Sequence, residues 1–190
     1  SRGGLIDRFR DRIMLPIRDE DGRVVAFIGR APDERHPTTP KYLNSPNTPI
    51  YQKGERLFGV GVLPLRDRRV VLVEGPLDVL AVHAAVPAVA AVAPCGTALT
   101  SRQAQLLGRA GIHDLVVAFD ADQAGTTAAV KAYAVLRPCL PDLLAARLPA
   151  GTDPAALAEV RPVDLARSVT DPEQLVPLID HVVDDLIDRF

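Results

Sequence analysis

Val70-Val71-Leu72-Val73-Glu74-Gly75-Pro76 and Leu115-Val116-Val117-Ala118-Phe119-Asp120-Ala121-Asp122 decide the fold. Each is a short run rich in Val that stops on an acid. Unbroken apolar runs of this length are what a parallel strand covered on both faces requires. Between and beyond them the periodicity changes. Leu77–Val86 has helical spacing, Ala88–Ala93 reads as a second, weaker strand, and Thr100 or Ser101 can cap a helix running to Ala110. Ala124–Leu136 is helical and Leu143–Leu148 is a fourth strand. Strands alternating with helices predict an α/β fold, a parallel sheet flanked by helices.

Upstream, Ile13–Arg30 reads as a hairpin, with Asp19-Glu20-Asp21-Gly22 as its turn. Residues 31–50 are rich in Pro, Thr and Asn without a hydrophobic period, and predict an ordered excursion or a mobile loop. Downstream, Leu175, Leu178, Ile179, Val182, Leu186 and Phe190 fall on one helical stripe, which predicts a helix across 172–190. The expected organisation is a small basic α+β subdomain (1–66), the parallel-sheet domain (67–150) and a C-terminal helical segment (151–190).

Net charge is −2, but it is unevenly spread. Residues 1–69 hold 14 Lys/Arg and 9 Asp/Glu, whereas residues 70–190 hold 8 and 15. A basic first third beside an acidic remainder suits a protein that handles a polyanion and cations together. The two cysteines, Cys95 and Cys139, are far apart in sequence, which excludes a CxxC zinc site; both read as core fillers. No apolar run is long enough to span a bilayer, and Ser1-Arg2-Gly3-Gly4 lacks the apolar core of a signal peptide. The expectation is a cytoplasmic protein with no membrane partner.

Ligand sites in open parallel sheets lie beyond the carboxyl ends of the strands. Glu74 ends one strand, Asp120 ends another, and Asp122 follows two residues later. Three carboxylates at one mouth repel unless they are protonated, paired or bound to cations, and no Lys or Arg stands near them in sequence. Mg²⁺ accepts carboxylate oxygens while keeping waters for substrate phosphate. Gly75, directly after Glu74, and Gly125, just after the Asp120/Asp122 pair, permit close backbone approach; Gly96-Thr97 offers backbone N–H groups to phosphate.

Val73-Glu74-Gly75-Pro76-Leu77-Asp78 and Phe119-Asp120-Ala121-Asp122-Gln123-Ala124-Gly125 resemble the two signature motifs of TOPRIM domains. Asp7-Arg8-Phe9-Arg10-Asp11-Arg12-Ile13-Met14, Pro16-Ile17, Gly29-Arg30, Pro40-Lys41-Tyr42-Leu43-Asn44-Ser45 and Lys53-Gly54 look like the catalytic core of DnaG-type bacterial primases, a block not expected in TOPRIM topoisomerases. The resemblance runs from about Asp7 to Pro154. It implies that Glu74 is a metal ligand or acid/base residue and that Asp120 and Asp122 ligate Mg²⁺ or Mn²⁺, with Asp153 as a further metal position. It also implies that Arg30, Lys41, Tyr42, Asn44 and Lys53 meet single-stranded DNA template and nucleoside triphosphates, Lys53 with a catalytic part, while Gly75, Asp78, Gly96, Thr97 and Gly125 support the site.

The chain departs from that family where a third acidic motif of Asp-Pro-Asp type is usual: Asp153-Pro154-Ala155 has Ala155 for the second acid. The zinc-binding and helicase-binding domains are absent, so no zinc is expected here, and a replicative helicase would be reached through regions outside this stretch. The implied activity is synthesis of short RNA primers on template. A TOPRIM nuclease and a non-catalytic nucleic-acid-binding module of a larger plasmid or phage protein remain rivals from the residues alone.

Overall fold

The computed structural model describes residues 6–32, 40–96 and 98–188. The hairpin forms as the sequence predicts: β1 (Ile13–Arg18) pairs antiparallel with β2 (Val24–Arg30). Its turn is held by Asp19 Oδ1, which accepts the backbone N–H groups of Asp21 (3.1 Å) and Arg23 (2.9 Å). Gly22 sits at φ +80°, a conformation open to glycine without a Cβ penalty.

Two expectations for this region need correction. A third strand, β3 (Tyr42–Asn44), joins β2 inside the stretch predicted as an excursion or loop. Three residues are too few to show a period of two, and the strand is held by its neighbour's hydrogen bonds rather than by its own apolar pattern. Among described residues 6–66 there is no α-helix, only a 3₁₀ turn at Lys53–Glu55, so the subdomain is β rather than α+β.

The main sheet has six strands in the order β4-β6-β5-β7-β8-β9. Its inner four, β6 (Ala90–Pro94), β5 (Arg69–Leu72), β7 (Asp114–Val117) and β8 (Leu143–Ala146), run parallel. β4 (Leu57–Phe58) and β9 (Leu175–Pro177) border it antiparallel. Alternation along β5 divides the core. Val71 and Val73 face α1 (Pro76–Ala85), α4 (Pro154–Val160) and α5 (Pro162–Thr170). Val70 and Leu72 face α2 (Ser101–Arg109), α3 (Gln123–Leu136) and α6 (Leu178–Asp188). Leu72, Leu107, Leu115, Leu136, Leu157 and Leu165 are fully buried, each contributing about 1.5–3 kcal/mol of apolar burial.

The predicted helix across 172–190 starts late. Asp171 accepts the N–H of Glu173 and starts a 3₁₀ turn, and Leu175–Pro177 then pairs with β8. Pro177 holds the preceding Val176 in extended conformation, so the helix begins only at Leu178. Leu178 and Val182 are buried, whereas Ile179 is 41% exposed. The side chain of Leu186 and all of Phe190 lie outside the described residues.

Candidate active site

The strand order creates a crevice. From β5 the chain passes through α1 to β6 on one side; α2 then leads to β7 on the other side of β5, and α1 and α2 cover opposite faces. Such a reversal opens a cleft at the carboxyl ends of the two flanking strands. Glu74, just after β5, and Asp120, just after β7, stand at that point.

The acidic residues are tied together by backbone. Asp120 N–H donates to Glu74 Oε1 at 3.1 Å. Asp122 caps α3, its Oδ1 accepting Gly125 N–H at 2.8 Å. Gly125 is needed here for space: a Cβ would collide with the carbonyl oxygen of Asp120. The segment after β8 is fastened to the same loop, Ala121 N–H donating to Thr152 O (2.9 Å) and Gly151 N–H to Ala121 O (2.8 Å). That fastening brings Asp153 to the cluster, where it also caps α4 through Ala156 N–H. Asp78 is 9% exposed and accepts two backbone donors, Gly75 N–H on Oδ2 and Ala155 N–H on Oδ1, both at 3.1 Å. Asp78 thus joins α1 to α4, and Ala155 contributes its backbone to the site.

Burial is the main force lifting the carboxyls above their ordinary range, and mutual repulsion adds to it. Glu74 is raised by burial and then by Asp120, Asp122 and Asp78. Asp78 is raised to about 6 by burial, with Asp153 and Asp120 adding to the rise and its backbone donors opposing it. Asp120 is raised by burial and by Asp153 and Asp122. Among the described residues none of these acids is in an ion pair. An oxygen-only, uncompensated donor set is what a hard divalent cation takes. Among the described residues no three such side chains stand close enough to hold one ion by themselves. That spacing fits Mg²⁺, which is typically held by one or two carboxylates and completes its shell with water and substrate phosphate.

At Gly96, which borders one cleft together with Glu74, three residues named from the sequence meet. Gly96 sits at φ +74°, and a Cβ there would lie 2.8 Å from Asn44 Nδ2 and 3.7 Å from Lys53 Nζ. Asn44 Nδ2 donates to Cys95 O at 3.5 Å, while its Oδ1 is buried without a partner among the described residues. The turn carrying Lys53 is held by α2. Thr100 Oγ1 donates to Gly54 O at 2.5 Å, and Gln103 Nε2 donates to Arg56 O at 2.7 Å. Gln103, fully buried, was not singled out from the sequence; its signal is the capping box it forms with Thr100.

Arg30 and Tyr42 are engaged with each other: Arg30 Nη1 donates to Tyr42 OH at 2.7 Å, and the guanidinium lies 5.4 Å from the ring centroid. One face of that ring is therefore covered. Arg12, part of the primase-like block, is engaged within the subdomain: its guanidinium bonds the carbonyls of Gly29 (3.0 Å) and Pro40 (2.9 Å) and so fixes the approach to exposed Lys41. Thr97 lies outside the described residues. Beneath this side Cys95 is fully buried, its thiol pushed up to about 11 by burial, next to the buried Tyr51. Cys139 is only half-buried.

Comparison with known proteins follows this geometry. Residues 1–63 match the family "DNA primase catalytic core, N-terminal domain", and residues 71–157 match the Toprim-like family. The chain is 41% identical over 158 residues to the DNA primase of Deinococcus radiodurans, covering 82% of this chain and 27% of that protein. It is similar to the crystal structure of the RNA polymerase domain of Mycobacterium tuberculosis primase DnaG, at 32% identity and a TM-score of 0.84, over 98% of this chain and 62% of that one. A DnaG primase catalytic domain solved bound to ssDNA is similar at 36% identity and a TM-score of 0.81, over 96% and 57%. The chain thus spans less than a third of the curated relatives' length. Among the described residues no helix is long and apolar enough to cross a membrane.

Proposed function

We infer from this chain, which belongs to the DnaG-type bacterial DNA primase catalytic-core family, a template-directed synthesis of short RNA primers from nucleoside triphosphates. The observation that carries the reading is the juxtaposition of an uncompensated carboxylate group, Glu74 with Asp120, Asp122 and Asp153, and a basic side formed by Lys53 and Asn44 at Gly96.

In the reaction a primer 3′ hydroxyl attacks the α-phosphate of a triphosphate; a P–O bond forms, and the bond to pyrophosphate breaks. Glu74, whose Oε1 accepts the Asp120 N–H, presents Oε2 to take the hydroxyl proton. Mg²⁺ or Mn²⁺, held by one or two carboxylates at a time from among Glu74, Asp120 and Asp122 with Asp153 beside them, would supply charge stabilisation to the α-phosphate and the leaving oxygen. Lys53 binds the triphosphate tail as a point charge, and the amide of Asn44 orients it. Arg30, Tyr42 and Lys41 line the route of single-stranded template, Arg30 fixing the Tyr42 ring so that its other face meets a base.

The test is extension of an annealed primer with ribonucleotides and Mn²⁺. Glu74→Gln is expected to abolish extension while leaving single-stranded DNA binding within twofold. Hydrolysis of the strand in place of extension would assign the site to a nuclease. Neither product in the wild type would leave a binding module.

A further inference from the structure

Beside Glu74 lies a cleft of about 810 Å³ that the reaction scheme above leaves unused. It lies between Pro94, Gly96, Ala98 and Leu99 on one side and the exposed side of α3 on the other. Two stripes of α3 build it, each at helical spacing. Ala124, Ala128 and Ala132 form a floor of methyl groups, and Gln123, Thr127 and Lys131 form a polar rim. Leu99 and Phe119 add apolar lining, and Glu74 and Gly96 also border the cleft. The room exists because alanines stand where larger residues would pack.

We propose that this cleft seats the 3′-terminal nucleotide of the nascent primer strand, with its base on the alanine floor against Phe119 and its 5′ phosphodiester at Lys131. The proposal rests on the primase reading and assigns that site a second nucleotide position. Three features select this occupant. The flat apolar floor with one polar rim matches a nucleoside, which has an apolar face and hydrogen-bonding edges. The rim can serve those edges: Gln123 carries an amide, and Thr127, whose hydroxyl donates to Gln123 O at 2.9 Å, keeps acceptor capacity. Charge decides between primer and incoming nucleotide. Among the described lining residues Lys131 is the one cation, which matches a single phosphodiester rather than a triphosphate. The triphosphate is better served at the Gly96 border of the cleft, where Lys53 and Asn44 meet.

The experiment is a photocrosslink that needs no turnover. An oligoribonucleotide ending in 4-thiouridine, annealed to a DNA template, is irradiated with the full chain in Mg²⁺ without triphosphates. The crosslinked peptide is expected to fall within residues 119–131; attachment to residues 42–53 instead overturns the proposal. Ala128→Trp, which fills the cleft, is expected to remove the crosslink and weaken binding of the annealed primer at least tenfold, with Mn²⁺ affinity unchanged. Lys131→Glu, on the exposed rim, gives a second variant that disturbs no core, and the same loss of primer affinity is expected. A variant pair that binds primer as the wild type does, or that raises the KM for ATP alone, refutes the assignment. Mn²⁺ binding and extension by the wild type report separately on the primase reading.

Discussion

The carboxylate of Glu74 accepts the backbone N–H of Asp120 at 3.1 Å, so the acid that ends β5 is anchored by the residue that ends β7. A side chain fixed this way repels the Asp120 carboxylate without being able to swing from it. A cation relieves that repulsion. Asp120→Asn is therefore expected to weaken Mn²⁺ binding at least tenfold, about 1.4 kcal/mol, by calorimetry. Asp142→Asn, at an exposed position beyond the cluster, is expected to leave it unchanged.

The same repulsion sets a pH dependence for the metal-free protein. Glu74, Asp78 and Asp120 have carboxyls raised above their unfolded values, so the folded state holds protons the unfolded state releases. Their contribution is most favourable below the unfolded pKa values and is lost as pH rises through the folded ones, near 6 for Asp78. The melting temperature in EDTA is expected to rise between about pH 7.5 and pH 5.5, a gain abolished by saturating Mg²⁺. On stronger acidification the trend reverses through Asp114. Burial pushes that carboxyl up, but the outweighing bidentate bond and charge of Arg69 hold it below its ordinary value. Its support is lost as pH falls through that depressed value.

Gly125→Ala tests the close approach of α3 to the Asp120 loop. The added methyl meets a backbone carbonyl rather than a movable side chain. Overpacking of this kind costs about 1–3 kcal/mol, to be read from denaturant unfolding. Mn²⁺ affinity is expected to fall with it, because the displaced loop carries both Asp120 and Asp122.

Thiol labelling tests the packing beneath Lys53. Cys95 is fully buried with its thiol at about 11, whereas Cys139 is half-buried. In the native protein at neutral pH one thiol is expected to react with iodoacetamide, and peptide mapping should place it at Cys139. Prompt labelling of Cys95 would mean that the Tyr51–Cys95 layer is open.

Salt dependence tests the basic side. With Lys53 at the triphosphate tail and Lys41 on the template route, Lys53→Ala is expected to leave single-stranded DNA binding unchanged, whereas Lys41→Ala is expected to weaken it. Its log–log salt slope should be lower by about 0.7 for each phosphate contact removed. Unchanged affinity and slope in Lys41→Ala would remove Lys41 from the route.

The parallel sheet was legible because burial on both faces leaves a plain mark, an unbroken Val/Leu/Ala run ended by an acid. The carboxylate site followed, since strand ends locate it before any side chain is placed. What escaped depended on partners distant in sequence. Tyr42–Asn44 is a strand only because β2 lies beside it, and Leu175–Pro177 only because β8 does. The helical stripe through 172–190 counted Leu175 correctly as apolar and assigned it the wrong period. Arg12 acts through backbone carbonyls, which carry no residue-type signature, and Gln103 was missed although its capping box with Thr100 was readable.

Both borders of the parallel sheet are closed by very short strands, β4 of two residues and β9 of three ending in Pro177. A long bare border is a template for pairing with another chain. The stretch that carries Lys41 and Lys53 therefore also guards the molecule against self-association, because it continues into Leu57–Phe58 and occupies the open flank of β6. Cutting the chain at residue 66 to isolate the metal-binding half would strip that guard, and the excised half would be driven toward intermolecular strand addition.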